Sequence, residues 1–267
     1  MLITIPLLTA LIFASIYPLC FWISAHDPLK NDFHKFHIGL PNFVGGVGVV
    51  GLLFMDVPVS LKAAAVCWKA IFIFLSYRYW KKGGVNPRMI TIPCVVGLGV
   101  FCLVLIQLVI LPLASRFIAS SSVAIMGSAI LGGFILCLSF YTMNLGHWYL
   151  NVHGLPMSHL KRAVVVFWFF LILRALWDIG ALLTMRVFSR GEEIPLWQFV
   201  GQMDGFFLVI AFFFGTLFPI ISLWFVKGTL DVKSTQSATG ILYVVVSSVL
   251  IGDMTYKYYL IRYGLGL

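Results

Sequence analysis

The chain has 267 residues, 61% of them hydrophobic and only 10% charged, with a formal net charge of +9. Soluble domains carry about 25% charged residues, so a water-facing globule is excluded and lipid is the expected solvent. In a bilayer the backbone must satisfy its own hydrogen bonds, which leaves helices or a closed barrel; the long continuous apolar runs select helices. The excess of lysine and arginine then belongs to cytoplasmic turns. No basic stripe interleaved with aromatics is present, so nucleic acid is not an expected partner.

In chain order the apolar runs predict about eight spans, at residues 2–24, 40–57, 60–80, 91–115, 120–150, 163–186, 195–226 and 237–262. The first lacks a basic leader and a small-residue cleavage pattern, which reads as a retained helix. Met55, Asp56, Val57 and Pro58 predict a tight turn between the second and third. Gly127, Ser128, Gly132 and Gly133 in the fifth, and the GxxxG of Gly201 and Gly205 in the seventh, are expected at close helix contacts. Pro219 predicts a kink in the seventh span, and Glu192, Glu193 and Pro195 suit its start. No internal repeat or linker is evident, so one integral membrane domain over 1–267 is expected. The fold class is all-α, a polytopic transmembrane helix bundle.

Turns after the odd-numbered spans hold Lys30, Lys35, Arg78, Lys81, Lys82, Arg88, Lys161, Arg162, Lys227 and Lys233. The other side holds mainly Lys62, Arg116, Arg186, Arg190 and Arg262. The first set marks the cytoplasm, which puts both termini on the extracytoplasmic side. With no transit peptide visible, a bacterial inner (cytoplasmic) membrane is the expected location. The five cysteines, Cys20, Cys67, Cys94, Cys102 and Cys137, fall in apolar runs with no CxxC pair and read as small buried hydrophobes.

Charges inside a bilayer are costly and usually face a bundle interior or a water-filled cavity. Arg174 and Asp178 stand one turn apart on the sixth span, as do Asp253 and Lys257 on the eighth. The seventh carries Gln198, Gln202 and Asp204. Carboxylates so placed can exchange protons, and a quinone or proton site built from Arg174, Asp178, Asp204 and Asp253 is expected. The plain alternative is that these charges only pair helices.

All six histidines map to one side: His26, His34 and His37 in the first turn, then His147, His153 and His159. The loop histidines are expected at the headgroup surface, and no metal site is expected. His147 shares a helix face with Asn144 and Asn151 and can bond a quinone oxygen, carry a proton or ligate haem iron. A b-type haem needs a second intramembrane histidine, and no other helix interior supplies one. Two segments, GHWYLN (146–151) and TQSATGILY (235–243), are distinctive but carry no chemistry assignable from their residues.

Two resemblances bear on function. Asp27, His37, Pro41, Gly45 and Gly46 resemble the first cytoplasmic loop of the polyprenyl-phosphate N-acetylhexosamine-1-phosphate transferases, which implies a lipid-modifying enzyme. That family also uses paired aspartates for magnesium, whereas the loop after the third span reads RYWKKGGVNPR. In helix number, orientation and buried polar set, the chain is similar to the eight-helix quinol-handling membrane anchors of bacterial respiratory oxidoreductases, of the polysulfide and dimethyl-sulfoxide reductase type. That likeness implies a haem-free quinone site (menaquinone or ubiquinone) and partner redox subunits. A respiratory membrane subunit is the leading expectation; a transporter, a structural subunit and a lipid-modifying enzyme are the alternatives.

Overall fold

Each apolar run closes its backbone hydrogen bonds internally as helix. The computed structural model describes residues 3–24, 32–82, 87–114, 121–152, 154–189 and 191–267. Among these, eight helices are long and apolar enough to cross a membrane: Thr4–Ser24, Phe33–Leu53, Val59–Lys81, Thr91–Leu113, Ser122–Asn151, Ser158–Thr184, Phe206–Asp231 and Thr235–Tyr263. The all-α polytopic class is therefore what the chain adopts. His26, Asp27, Lys30, Arg116, His153 and Arg190 lie outside the described residues.

The helices are α1 (Thr4–Ile16, continued by a 3-10 stretch Tyr17–Ser24), α2 (Asp32–His37), α3 (Gly39–Leu53), α4 (Val59–Lys82) and α5 (Pro87–Leu105). They continue with α6 (Leu111–Ala114), α7 (Ser122–Asn151), α8 (Ser158–Thr184), α9 (Leu196–Val200), α10 (Phe206–Phe212), α11 (Phe218–Asp231) and α12 (Thr235–Tyr263). Proline sets the irregularities. The missing N–H of Pro18 accompanies the change to 3-10 winding. Pro112 and Pro219, which supply no N–H to the carbonyl four residues back, each follow a π-turn, Ile106–Ile110 and Phe213–Leu217.

The chain folds as two compact units, 1–108 and 109–267. In the first, α1 packs on α3 and α5, while α4 packs on both α3 and α5. The glycines of α3 allow this: a Cβ on Gly45 would stand 2.7 Å from Ala14 Cβ, and one on Gly48 3.1 Å from Ala10 Cβ. The turn at 54–58 forms between α3 and α4, and Lys62 Nζ caps it by donating to Leu53 O at 2.9 Å. Cys20, Cys94 and Cys137 are buried, but Cys67 is exposed on α4, contrary to the reading of all five as interior.

In the second unit α7 and α8 pack together, α8 meets α11, and α12 packs on both α7 and α11, so four spans close a ring. Two expectations fail here. Glu192, Glu193 and Pro195 do not start a span; they form β2 (Glu192–Pro195), paired antiparallel with β1 (Arg186–Ser189). The chain needs this hairpin to close the end of the ring: Val187, Ile194, Leu196 and Phe199 bury against Tyr259, Leu265 and Leu267. Gly201 and Gly205 likewise lie in the turn before α10, where a Cβ on Gly205 would stand 2.0 Å from Phe199 O. The close helix crossing is elsewhere: a Cβ on Gly252 would stand 2.2 Å from Gly215 Cα.

Candidate functional site: a buried charge cluster in the second unit

Arg174 is 1% exposed and Asp178 6%. One helical turn brings Arg174 Nε to 3.0 Å from Asp178 Oδ1. The other Asp178 oxygen accepts from Tyr256 Oη at 2.7 Å and from Thr216 Oγ1 at 2.9 Å, and those two hydroxyls are 3.1 Å apart. The Tyr256 ring also lies under the guanidinium, 3.8 Å from ring centre to Cζ, a distance at which the ring face attracts a cation. Arg174 Nη1 approaches Ser128 O and Oγ at 3.4 and 3.3 Å. Its Nη2 has no acceptor among the described residues.

Asp253 and Lys257 pair one turn apart on α12, both buried. A Cβ on Gly132 would stand 3.4 Å from Asp253 Oδ1 and 3.9 Å from Arg174 Nη1, so the glycine makes room for both groups. Two cations and two carboxylates thus share the interior of one ring of helices, with no net charge. Arg174, Asp253, Lys257, Ser128 and Tyr256 line a cavity of about 30 Å³. That is room for one or two water molecules. The segment after α12 lids it. Gly264 takes the left-handed conformation (φ 66°) that ends the helix and turns the chain back. Ser128 Oγ then donates to Leu267 O, and Trp177 Nε1 donates to Gly266 O at 2.8 Å.

A second space adjoins the same carboxylate. Between α8 and the α10–α11 span lies a groove of about 230 Å³, walled by Ala175, Ile179, Leu182, Phe212 and Leu217, with buried Asp178 and Thr216 as its polar lining. Of its lining residues, Ile179 and Leu217 are exposed.

The structure brings Arg174, Asp178 and Asp253 together and leaves two expected members apart. Asp204 is exposed in the turn preceding the span Phe206–Asp231, not within that span, and its carbonyl accepts from Tyr259 Oη at 2.7 Å. His147 is exposed and its Nδ1 pairs with Tyr243 Oη at 3.0 Å. It stands nineteen residues along α7 from Ser128, about 28 Å of helix. The two distinctive segments do meet there, since Tyr243 belongs to the second, and a Cβ on Gly146 would stand 2.9 Å from Thr239 Oγ1.

Three histidines expected at the headgroup surface are interior: His34, His37 and His159 are 2%, 8% and 1% exposed. His34 Nε2 pairs with Ser24 Oγ at 2.8 Å. The reason is that α2 continues into α3, so its histidines pack beside Phe21 and Phe33. Of the transferase-like positions, His37, Pro41, Gly45 and Gly46 lie along α2 and α3.

Sequence reasoning passed over Tyr256, Thr216 and Lys69, and read Ser128 only as a small residue at a helix contact. Lys69 is buried at the middle of α4, donating to Asn42 O at 2.6 Å and Asn42 Oδ1 at 3.0 Å, while Asn42 Nδ2 donates to Ser76 Oγ at 2.7 Å. A lysine within AAAVCWKAIFIF was a visible signal, by the same rule that selected Arg174. Among the described residues, no three His, Cys, Asp or Glu side chains converge as metal ligands would. No protein-family model, curated protein or solved structure matches the chain, so the chemistry of the cluster rests on its own residues.

Proposed function

We propose that the chain is a membrane subunit of a respiratory electron-transfer complex, in a bacterial cytoplasmic membrane, whose second unit binds a quinone and exchanges protons with it. The observation that carries this reading is the groove with Asp178 and Thr216 at its base. Its apolar walls suit an isoprenoid-bearing ring, and about 230 Å³ exceeds the roughly 150 Å³ cavity that accepts benzene. A bound quinone supplies two-electron chemistry coupled to two protons; partner redox subunits carry the electrons onward.

This chain's own residues handle the proton side. Thr216 Oγ1 offers a hydroxyl at the groove base, and Asp178 is the carboxylate beside it. Tyr256 Oη and Arg174 hold Asp178 from behind, and Arg174 and Tyr256 both border the small polar cavity with Asp253 and Lys257. A continuous run of polar groups therefore leads from the groove to a space able to hold water. The cavity itself, at about 30 Å³, is too small for a ring, which favours the groove for the ring and the cavity for water.

The test is gentle isolation from the native membrane, followed by extraction, mass spectrometry for quinones and identification of copurifying subunits. Wild-type protein is expected to retain quinone and redox partners. Thr216→Val, which removes only the hydroxyl, is expected to lower quinone retention. A protein isolated alone, without quinone, overturns the respiratory reading and favours transport through the same cluster.

A further inference from the structure

At the opposite end of the second unit from the hairpin, the first turns of α8 meet the last turns of α11. Lys161 Nζ is 2.7 Å from Asp231 Oδ1 across that junction, with both side chains about half exposed. Lys227 joins them, exposed on α11 one turn before Asp231. Two lysines against one carboxylate leave a single positive charge at the boundary of the spans. Beneath them is a cleft of about 100 Å³ lined by Lys161, Val164, Trp168, Lys227, Leu230 and Asp231. Trp168 Nε1 is buried there and has no acceptor among the described residues. Its ring is held edge-on by Trp224, centroids 6.2 Å apart.

A buried indole N–H without an acceptor costs free energy that a ligand oxygen can recover. The spacing says which ligand. Trp168 is seven residues after Lys161 on the same helix face, about 10 Å deeper. The lysines, close to the ends of their spans, can reach a phosphate, while the indole, further along the span, can meet an acyl ester carbonyl. Val164 and Leu230 offer an apolar wall for the chain that follows. A free phosphate can answer only the lysines; a phospholipid answers both levels. Basic clefts between transmembrane helices are suited to such heads.

We propose that this cleft binds one anionic phospholipid, its phosphate between Lys161 and Lys227 and an ester carbonyl accepting from Trp168 Nε1. The site is independent of the quinone reading, since none of its residues lines the groove or the polar cavity.

The test is native mass spectrometry of the full chain in detergent, with phosphatidylglycerol, phosphatidylcholine or inorganic phosphate added. Wild-type protein is expected to retain one phosphatidylglycerol in preference to phosphatidylcholine and to ignore phosphate. Lys227→Gln is expected to weaken retention about fivefold. Trp168→Phe, which keeps a ring and deletes the donor, is expected to weaken it with the helix content unchanged. If Trp168→Phe loses helix content, surface-exposed Lys227→Gln decides alone. Retention unaffected by Lys227→Gln overturns the proposal, as does displacement of the lipid by millimolar phosphate.

Discussion

Asp178 receives an ion pair from Arg174 and hydrogen bonds from Tyr256 and Thr216, so its removal strands a buried guanidinium. Breaking a buried pair by deleting one partner costs about 3–5 kcal/mol, whereas replacing both by apolar residues is often neutral or better. Asp178→Leu and Arg174→Met are each expected to lower the unfolding midpoint in detergent strongly, and the double variant to recover most of the loss. An additive double variant would show that the two residues do not act as a pair. Tyr256→Phe keeps the ring under Arg174 and loses the bond to the carboxylate together with the contact to Thr216 Oγ1, with an expected cost of about 1.5–3 kcal/mol. An unchanged midpoint in thermal unfolding would rule out that bond. The two ion pairs were legible because i,i+4 spacing is a property of one helix. Thr216 and Ser128 were not legible as members of the cluster, because a Ser or Thr hydroxyl in an apolar run can bond its own helix, as Thr255 does to Ile251 O at 2.8 Å; Tyr256 was not, because a tyrosine near a span end reads equally as an interfacial aromatic.

Among elements, α12 carries two glycines with opposite roles. Gly240 has nothing within 4 Å of an added Cβ, while on Gly252 that atom would stand 2.2 Å from Gly215 Cα and 2.4 Å from Gly215 N. Gly240→Ala is expected to stabilise by about 0.5–1 kcal/mol, through helix propensity. Gly252→Ala is expected to destabilise by about 1–3 kcal/mol, since overpacking forces the backbone to shift. Both are read from thermal unfolding, and equal effects would contradict the crossing. The sequence pointed instead to Gly201 and Gly205, whose spacing matches a packing motif. Spacing has meaning only once the residues are helical, and these two lie in the turn between the end of the short α9 and α10. The hairpin itself was hidden because Arg186–Pro195 is too short and mixed to show a strand period.

For the whole molecule, an even number of spans is expected to return the chain to the side on which it began, and the lysine-rich turns are expected to face the cytoplasm on the other side. Cysteines introduced at exposed Glu192 and Val232 are then expected on opposite sides. In intact cells an impermeant maleimide is expected to label Glu192→Cys, and to label Val232→Cys only after permeabilisation. The reverse pattern would invert the orientation.

That the chain is a set of membrane-spanning helices, near where each lies, and that two of them carry paired charges all follow from the order of residues alone. Lipid makes this so: each span must close its own backbone hydrogen bonds, and helix formation then needs no neighbour. That Arg174, Asp178 and Asp253 share one interior while Asp204 and His147 stand elsewhere, and that Tyr256 and Thr216 complete the cluster, emerges from the packing of the spans against one another. Convergence depends on the rotation and depth of each helix, and those are set by contacts between spans: the Gly215–Gly252 crossing, the space beside Gly132, and the hairpin with residues 264–267 closing the end.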